Sequence, residues 1–409
     1  MEIRSDILDH WPQVRARLPA GLDLEKTARS RGAFTRAREV KSAEALLRLA
    51  LAYGGCGMSL RETCAWAEAA GIASLANPSL IERLGKAAPW LADIVAALIA
   101  EQAKVPAKRW AGYRLRALDA TSICAPGADR TTWRLHVGYD LATSQVDHLE
   151  LTDGRGAENL QRLRYQPGDI ALADRCYARP RDLRPVIDDG ADFIVRTGWN
   201  SLRLLNPDGT LLDLFGALSA QSEQLGEIKV WVDEGSNQVD PLILRLVIRR
   251  KTRAQWRAER KRLLKEAKKR GKKPDPRSLE AARYILLLTS LPADIFSTAD
   301  VLALYRFRWQ LELAFKRMKS IAGLDELAAK KPELARAWIY ARLIAFLIAE
   351  QIAGQVPDSP PWEPSKTAAK SIALAPDKTG PRQRSRRHSR TTAVAHYPQC
   401  LYSHPAAPL

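Results

Sequence analysis

Three strand patterns in immediate succession, followed by helix and strand in alternation, constrain this chain more than any other feature of its sequence. "YRLRALDAT" (113–121), "TTWRLHVGYD" (131–140) and "QVDHLELTD" (145–153) have the texture of strands. A short helix is predicted near 157–164, a strand at "GDIALAD" (168–174), a helix at "RPRDLRPVIDDG" (179–190) and a strand at "ADFIVRT" (191–197). The order β-β-β-α-β-α-β mixes hairpin pairing with crossover connections, which predicts a mixed α/β fold.

Two of these strands end in an acid. Asp119 closes "LRALD" and Asp174 closes "DIALAD". A carboxylate at the end of an otherwise apolar strand is costly inside a core, so both are expected to face a cleft. A third acid, Glu312, lies in "YRFRWQLELAFKRMKS" (305–320). At about 100° per residue, one helix here would bring Tyr305, Arg308, Glu312 and Lys319 within an arc of roughly 60°. Phe307, Leu311, Ala314 and Met318 would form the opposite, core-facing stripe. Three carboxylates with no flanking His or Cys cluster suit hard cations such as Mg²⁺ or Mn²⁺. In a site with two ions about 3.5–4 Å apart, one activates the attacking oxygen and the other stabilises the leaving oxygen on phosphorus. The residues read as metal-dependent phosphoryl transfer on a nucleic acid.

Charge points to the same partner. Lys and Arg number 64 against 46 acids, a net +18, which favours nucleic acid over a membrane. Two-thirds of that excess, a local +12, lies in "RRKTRAQWRAERKRLLKEAKKRGKK" (249–273). Trp256 inside this run has the chemistry to stack on a base or on the scaffold. Around it, "SLRLLN", "EIKVWVDE", "PLILRLVIRR" and "ARYILLLTS" read as strands of a separate insertion over 200–300.

Before the strands, residues 1 to about 105 read as helical. "KSAEALLRLALAY" stops at Gly54-Gly55, "SLRETCAWAEAAG" opens with the capping-box pair Ser59 and Glu62, and a third helix starts after Asn77-Pro78. Both a helix-turn-helix module and a plain bundle fit. "AWIYARLIAFLIAEQIAG" (337–354), interrupted by Arg342, reads as a buried core helix and not a membrane span. The first residues carry acids where a secretory leader would be apolar. The five cysteines are scattered without a C-x-x-C pair, which argues against disulfides and zinc and fits a reducing cytoplasm. After about Pro357 the composition turns to Pro, Ser, Thr, Ala and Arg, and a disordered tail is expected.

The motifs carry a resemblance. "DAT" (119–121), "DRCY" (174–177) and the pattern Tyr305-x2-Arg308-x3-Glu312-x6-Lys319, with "WRLH" (133–136) and "FIVR" (193–196), resemble the signatures of DDE transposases of the insertion-sequence-4 family. The resemblance runs from roughly residue 30 to 355. It implies a ribonuclease-H-like core at 111–199 and 301–356, a β-rich basic insertion at 200–300 and an N-terminal helical, DNA-end-binding region at 1–110, with the tail at 357–409.

In that family, Asp119, Asp174 and Glu312 would be catalytic and hold two Mg²⁺ or Mn²⁺ ions. Tyr305, Arg308 and Lys319 would hold DNA phosphates, and Arg175, Tyr177, Arg196 and Trp256 are further candidates for DNA contact. The implied partners are double-stranded DNA, both element ends and target, and a second copy of the chain. The implied course is a nick by metal-activated water, a hairpin, its reopening and strand transfer, in the bacterial cytoplasm at the nucleoid. Cys176 departs from the family's usual Gly in the turn after Asp174, where backbone freedom would matter. A nuclease that does not join, and a DNA-binding protein without catalysis, are the alternatives.

Overall fold

The computed structural model describes residues 10–102, 112–233, 240–320 and 322–353. The tail expected beyond residue 357 lies outside the described residues. Nine strands form one sheet, built around two parallel pairings. The strands are β1 (Arg114–Ile123), β2 (Trp133–Asp140), β3 (Gln145–Asp153), β4 (Asp169–Ala173), β5 (Asp192–Thr197), β6 (Leu204–Leu205), β7 (Leu225–Val232), β8 (Leu242–Arg250) and β9 (Tyr284–Thr289). Their order is β3-β2-β1-β4-β5-β9-β8-β7-β6. β1 pairs parallel with β4 and β4 with β5, while every other neighbour is antiparallel.

β4 and β9 are apolar apart from Asp169 and Thr289 at their ends, as strands covered on both faces largely are. All five residues of β4 and all six of β9 are buried. The strands of 200–300 continue this sheet: β9 bonds to β5 on one side and to β8 on the other. Between residues 157 and 164 the chain makes a 3-10 turn, Leu160–Arg162, instead of a longer helix.

Among the described residues, five helices precede the sheet: α1 (Trp11–Arg17), α2 (Leu24–Ser30), α3 (Ala43–Ala50), α4 (Leu60–Ala69) and α5 (Asn77–Gln102). The capping box of α4 is present in full: the Ser59 N–H donates to Glu62 at 2.7 Å, and the Glu62 N–H donates to Ser59 Oγ at 3.2 Å. α6 (Pro180–Asp188) links β4 to β5, and α7 (Leu214–Ala220) leads into β7. α8 (Arg253–Lys269) and α9 (Pro276–Ala281) lie between β8 and β9. The basic run is thus a helix, started by a Thr252–Gln255 capping box.

The chain then forms α10 (Thr298–Arg306), α11 (Trp309–Ser320) and α12 (Pro332–Ala353). α12 is buried over Leu334–Ile348 apart from Arg336, with Arg342 only 3% exposed, as a core helix requires. It packs against α5 and against the π-helical turn Leu51–Gly55 that ends α3. A β-carbon at Gly54 would come within 2.6 Å of Ala341 Cβ, so glycine permits that approach. No helix among the described residues is long and apolar enough to cross a membrane.

Candidate active site

The register of β1 and β4 brings the two aspartates together. Leu118 lies opposite Ala173 in the parallel pair. The next residues, Asp119 and Asp174, therefore stand side by side at the carboxyl end of the sheet, where parallel strands leave a crevice. Asp174 stands at the end of β4 as expected, whereas β1 runs on to Ile123, held by its pairing with β2, so Asp119 lies within its strand. Each accepts the N–H of the following residue, Ala120 donating to Asp119 at 2.8 Å and Arg175 to Asp174.

The third acid arrives through an arginine. Arg308 donates to Glu312 at 2.5 Å and to Asp119 at 3.4 Å, and its charge also acts on Asp174. One guanidinium thus serves three carboxylates. Burial pushes Asp119 up to about 7, against the opposing pull of Arg308. Burial acts on Asp174 too, but Arg308, the Arg175 N–H, Arg196 and Arg175 outweigh it and hold that carboxyl below its ordinary value. The Arg308 guanidinium is raised, because these acids and Tyr305 exceed the effect of its own desolvation.

The single helix expected over 305–320 is two. It breaks at Phe307–Arg308, where the N–H groups of Phe307, Arg308, Gln310 and Leu311 reach back three residues instead of four. Neither Gly nor Pro marks the break, and the tight turn is where Arg308 reaches both Asp119 and Glu312. Leu311, Ala314 and Met318 are buried as the stripe required, while Phe307 is half-buried. Tyr305 is 3% exposed, with its ring 5.9 Å from the Arg308 guanidinium. It lies under Arg308, not beside it. Lys319, half-buried two turns beyond Glu312, does not join the group.

Arg175 and Arg196 lie on the Asp174 side, and both charges act on its carboxylate. Tyr177 is fully buried, its hydroxyl within the field of Asp119 and Glu158. Cys176 sits in a 3-10 turn, Arg175–Tyr177. Ser144 is the only non-glycine residue with positive φ among the described residues, so this turn accepts a β-carbon without strain. The Cys176 side chain is exposed, and desolvation and then Glu158 push its thiol up to about 12. His136 is buried and hydrogen-bonded to Thr152 Oγ1 at 3.1 Å, with burial lowering it to about 4.

Trp256 stands apart on α8 beneath Arg283, whose guanidinium is 5.0 Å from its ring. Beside it, Arg253, Arg257, Arg260, Lys261 and Leu264 line a basic hollow of about 550 Å³.

Sequence reasoning missed Glu158. It pairs with Arg134 at 3.6 Å, and its charge reaches Asp119, Cys176 and Tyr177. It is a lone acid in the loop after β3, and no local signal marks it.

A family model described as a transposase DDE domain matches residues 110–348, more than half of the chain, and spans all three acids. The chain belongs to the DDE transposase family. It is an enzyme of that type and of the insertion-sequence-4 kind, with a ribonuclease-H-like core. It is 42% identical over 357 residues to the putative transposase InsL for insertion sequence element IS186A of Escherichia coli, covering 86% of this chain and 96% of the relative. Similarity to the transposase for insertion sequence element IS421 of Escherichia coli is 41% over 358 residues, with the same coverage. The transposase for IS231F of Bacillus thuringiensis subsp. israelensis is more distant, 27% identical over 270 residues, 58% of this chain and 55% of that one.

The family implies a divalent cation, and the residues fit one in kind. All three donors are carboxylates, and Arg308 is hydrogen-bonded to only two of them. Among the described residues, no three acidic, His or Cys side chains converge closely enough to hold an ion as they stand. Arg308 stands between them.

Proposed function

We propose that this chain cuts the ends of an insertion sequence and joins them to target DNA. The observation that carries the reading is the pairing of Asp119 with Asp174 across parallel strand ends, with Glu312 tied to Asp119 through Arg308. Asp119, Asp174 and Glu312 would hold two Mg²⁺ or Mn²⁺ ions. Such ions supply Lewis-acid polarisation of a phosphate and acidify water enough for attack.

The protein's own residues do the rest. Arg308 orients Glu312 and Asp119, and Tyr305 supports Arg308 from below, so Tyr305 is a positioning residue. Arg175 and Arg196 neutralise phosphate beside Asp174, and Lys319 and the outer face of α8 follow the DNA farther out. The N-terminal helices 1–110 read the element end, and the β-rich segment 200–300 extends the DNA-binding face of the core. Water cuts one strand, the freed 3′-hydroxyl attacks the other to leave a hairpin, and after reopening the 3′ ends attack target DNA. Two copies act together, one on each end, at the bacterial nucleoid.

Cleavage of a labelled duplex bearing the element's own end, with Mg²⁺ and then Mn²⁺, tests this reading. A nick or hairpin at the end, followed by joining of pre-cut ends, supports it. Cutting without joining would make the protein a nuclease. One observation favours a non-catalytic DNA-binding protein: the hold of Arg308 on two of the three acids. Binding without cutting under both metals would decide for it.

A further inference from the structure

On the Asp174 side of the site, four cations share one acid, while Asp174 also acts on Arg175 and Glu266 accepts from Arg262 at 2.7 Å. Arg175 follows Asp174, Arg196 lies near the end of β5, Lys251 follows β8, and Arg262 enters from α8. After desolvation, Arg196 and Arg262 lower the Arg175 guanidinium, and like charges from Arg196, Arg175 and Arg262 act on Lys251. The acid is Glu259. Arg262 donates to it from Nη2 at 2.6 Å and from Nε at 3.3 Å, and the charges of Lys251 and Arg196 act on it too. Its side chain is 16% exposed.

The geometry of α8 makes this arrangement. Trp256, Glu259, Arg262 and Leu263 recur at helical spacing and are half-buried, whereas Arg257, Arg260 and Lys261 are exposed. Trp256 lies under Arg283, and the carbonyl of Arg283 accepts the N–H of Lys251 at 2.8 Å. Helix and cluster are thereby fixed to the same strand end. Like charges held this close are costly unless an anion joins them. Glu259 presents two acceptor oxygens to a guanidinium fork, as a phosphate does.

We propose that the Arg175–Arg196–Lys251–Arg262 cluster seats a DNA backbone phosphate next to the bond being cut, and that Glu259 occupies the seat until DNA displaces it. The proposal rests on the DNA-processing reading above. Glu259 is then an internal competitor. In a protein of net +18 it weakens binding to arbitrary DNA and leaves the site to duplexes held by further contacts.

The test compares two variants with the same change in net charge. Glu259→Gln removes the competitor and keeps its size. Glu280→Gln removes an exposed acid on α9 that does not face the cluster. Binding of a labelled duplex carrying the element's terminal sequence is measured in EDTA over a salt series. Glu259→Gln is expected to bind about tenfold more tightly, and Glu280→Gln within about twofold of wild type. Lys251→Met should lower the salt slope by about one, more strongly in the Glu259→Gln background, and Lys251→Arg should restore it. Thermal melts confirm that each variant is folded. Equal tightening by the two Gln variants overturns the proposal and leaves the DNA-processing reading intact. Failure of the wild type to bind duplex overturns both.

Discussion

β1 and β4 carry charged groups at both ends, and the two ends are built differently. At the amino ends, Arg114 and Arg116 face Asp140, Asp147 and Asp169. Arg116 donates to Asp147 at 2.7 Å, Arg114 donates to Asp140 at 2.6 Å, and Arg116 also reaches the carbonyl of Arg164 at 2.6 Å. Backbone N–H groups of Ala142, Thr143 and Gln166 meet further carboxylate oxygens. Asp140 and Asp169 are 2% and 1% exposed.

At the carboxyl ends Arg308 is hydrogen-bonded to Asp119 and Glu312, Arg175 and Arg196 act on Asp174 by charge, and the side chains of Asp119 and Glu312 are 24% and 36% exposed. A buried charge group paired within itself is architecture. One that is open to solvent and only partly hydrogen-bonded is built for an external ligand.

The comparison breaks first if the carboxyl-end acids prove dispensable. Glu312→Gln and Asp119→Ala are expected to slow cleavage of an end-bearing duplex by about a thousandfold or more, equivalent to several kcal/mol. A mobility-shift assay should show binding within about threefold of wild type, since neither acid attracts phosphate. Cleavage at the wild-type rate in either variant would remove that acid from the site.

At the amino end the loss should appear in stability. Asp147→Ala leaves Arg116 buried without its nearest carboxylate and is expected to cost about 3–5 kcal/mol. Denaturant unfolding measures it, and a loss below about 1 kcal/mol would erase the contrast between the ends.

A smaller effect concerns His136, on β2 beside the register of Ala120. The unfolded chain takes up its proton near 6.5, the folded protein only near 4. Stability from its neutral burial is therefore complete above about pH 6.5 and is lost as pH falls toward 4, by roughly 2 kcal/mol. His136→Gln should flatten that part of the stability-against-pH curve; an unchanged slope would assign it to other groups.

The mildest test sharpens the carboxyl end. Because Asp119 is raised to about 7, its ionised form opposes folding once the pH exceeds the usual carboxylate range. Asp119→Asn should then stabilise the metal-free protein at pH 8 by about 1 kcal/mol, the shift being discounted for partial exposure. Added Mg²⁺ should raise the melting temperature of the wild type, and EDTA should reverse the gain. Equal gains in the variant would mean that the ion binds elsewhere.

Local chemistry made much of this readable. Asp174 announced itself as an acid closing an apolar strand, Asp119 as an acid on one, though β1 runs on past it, Ser59 and Glu62 as a helix start, and Leu311, Ala314 and Met318 as a buried stripe. What was unreadable depended on distant partners. Tyr305 fits a polar face by periodicity, but the break at Phe307–Arg308 turns it into the core, and no breaker residue signals that break. The strands of 200–300 have a clear period, but no local feature says that β9 inserts between β5 and β8. Glu158 and Glu259 are single acids whose meaning comes from side chains far away in sequence.

The sequence by itself determined the element types, the excess of positive charge and the identity of the three acids, because periodicity and residue chemistry act over a few positions. Only the tertiary structure decided that Leu118 lies opposite Ala173, that one arginine serves three carboxylates, and that Glu259 faces the cations of the Asp174 side. Those outcomes follow from strand register and from the packing of elements distant in sequence, and short-range patterning does not encode the distance between such groups.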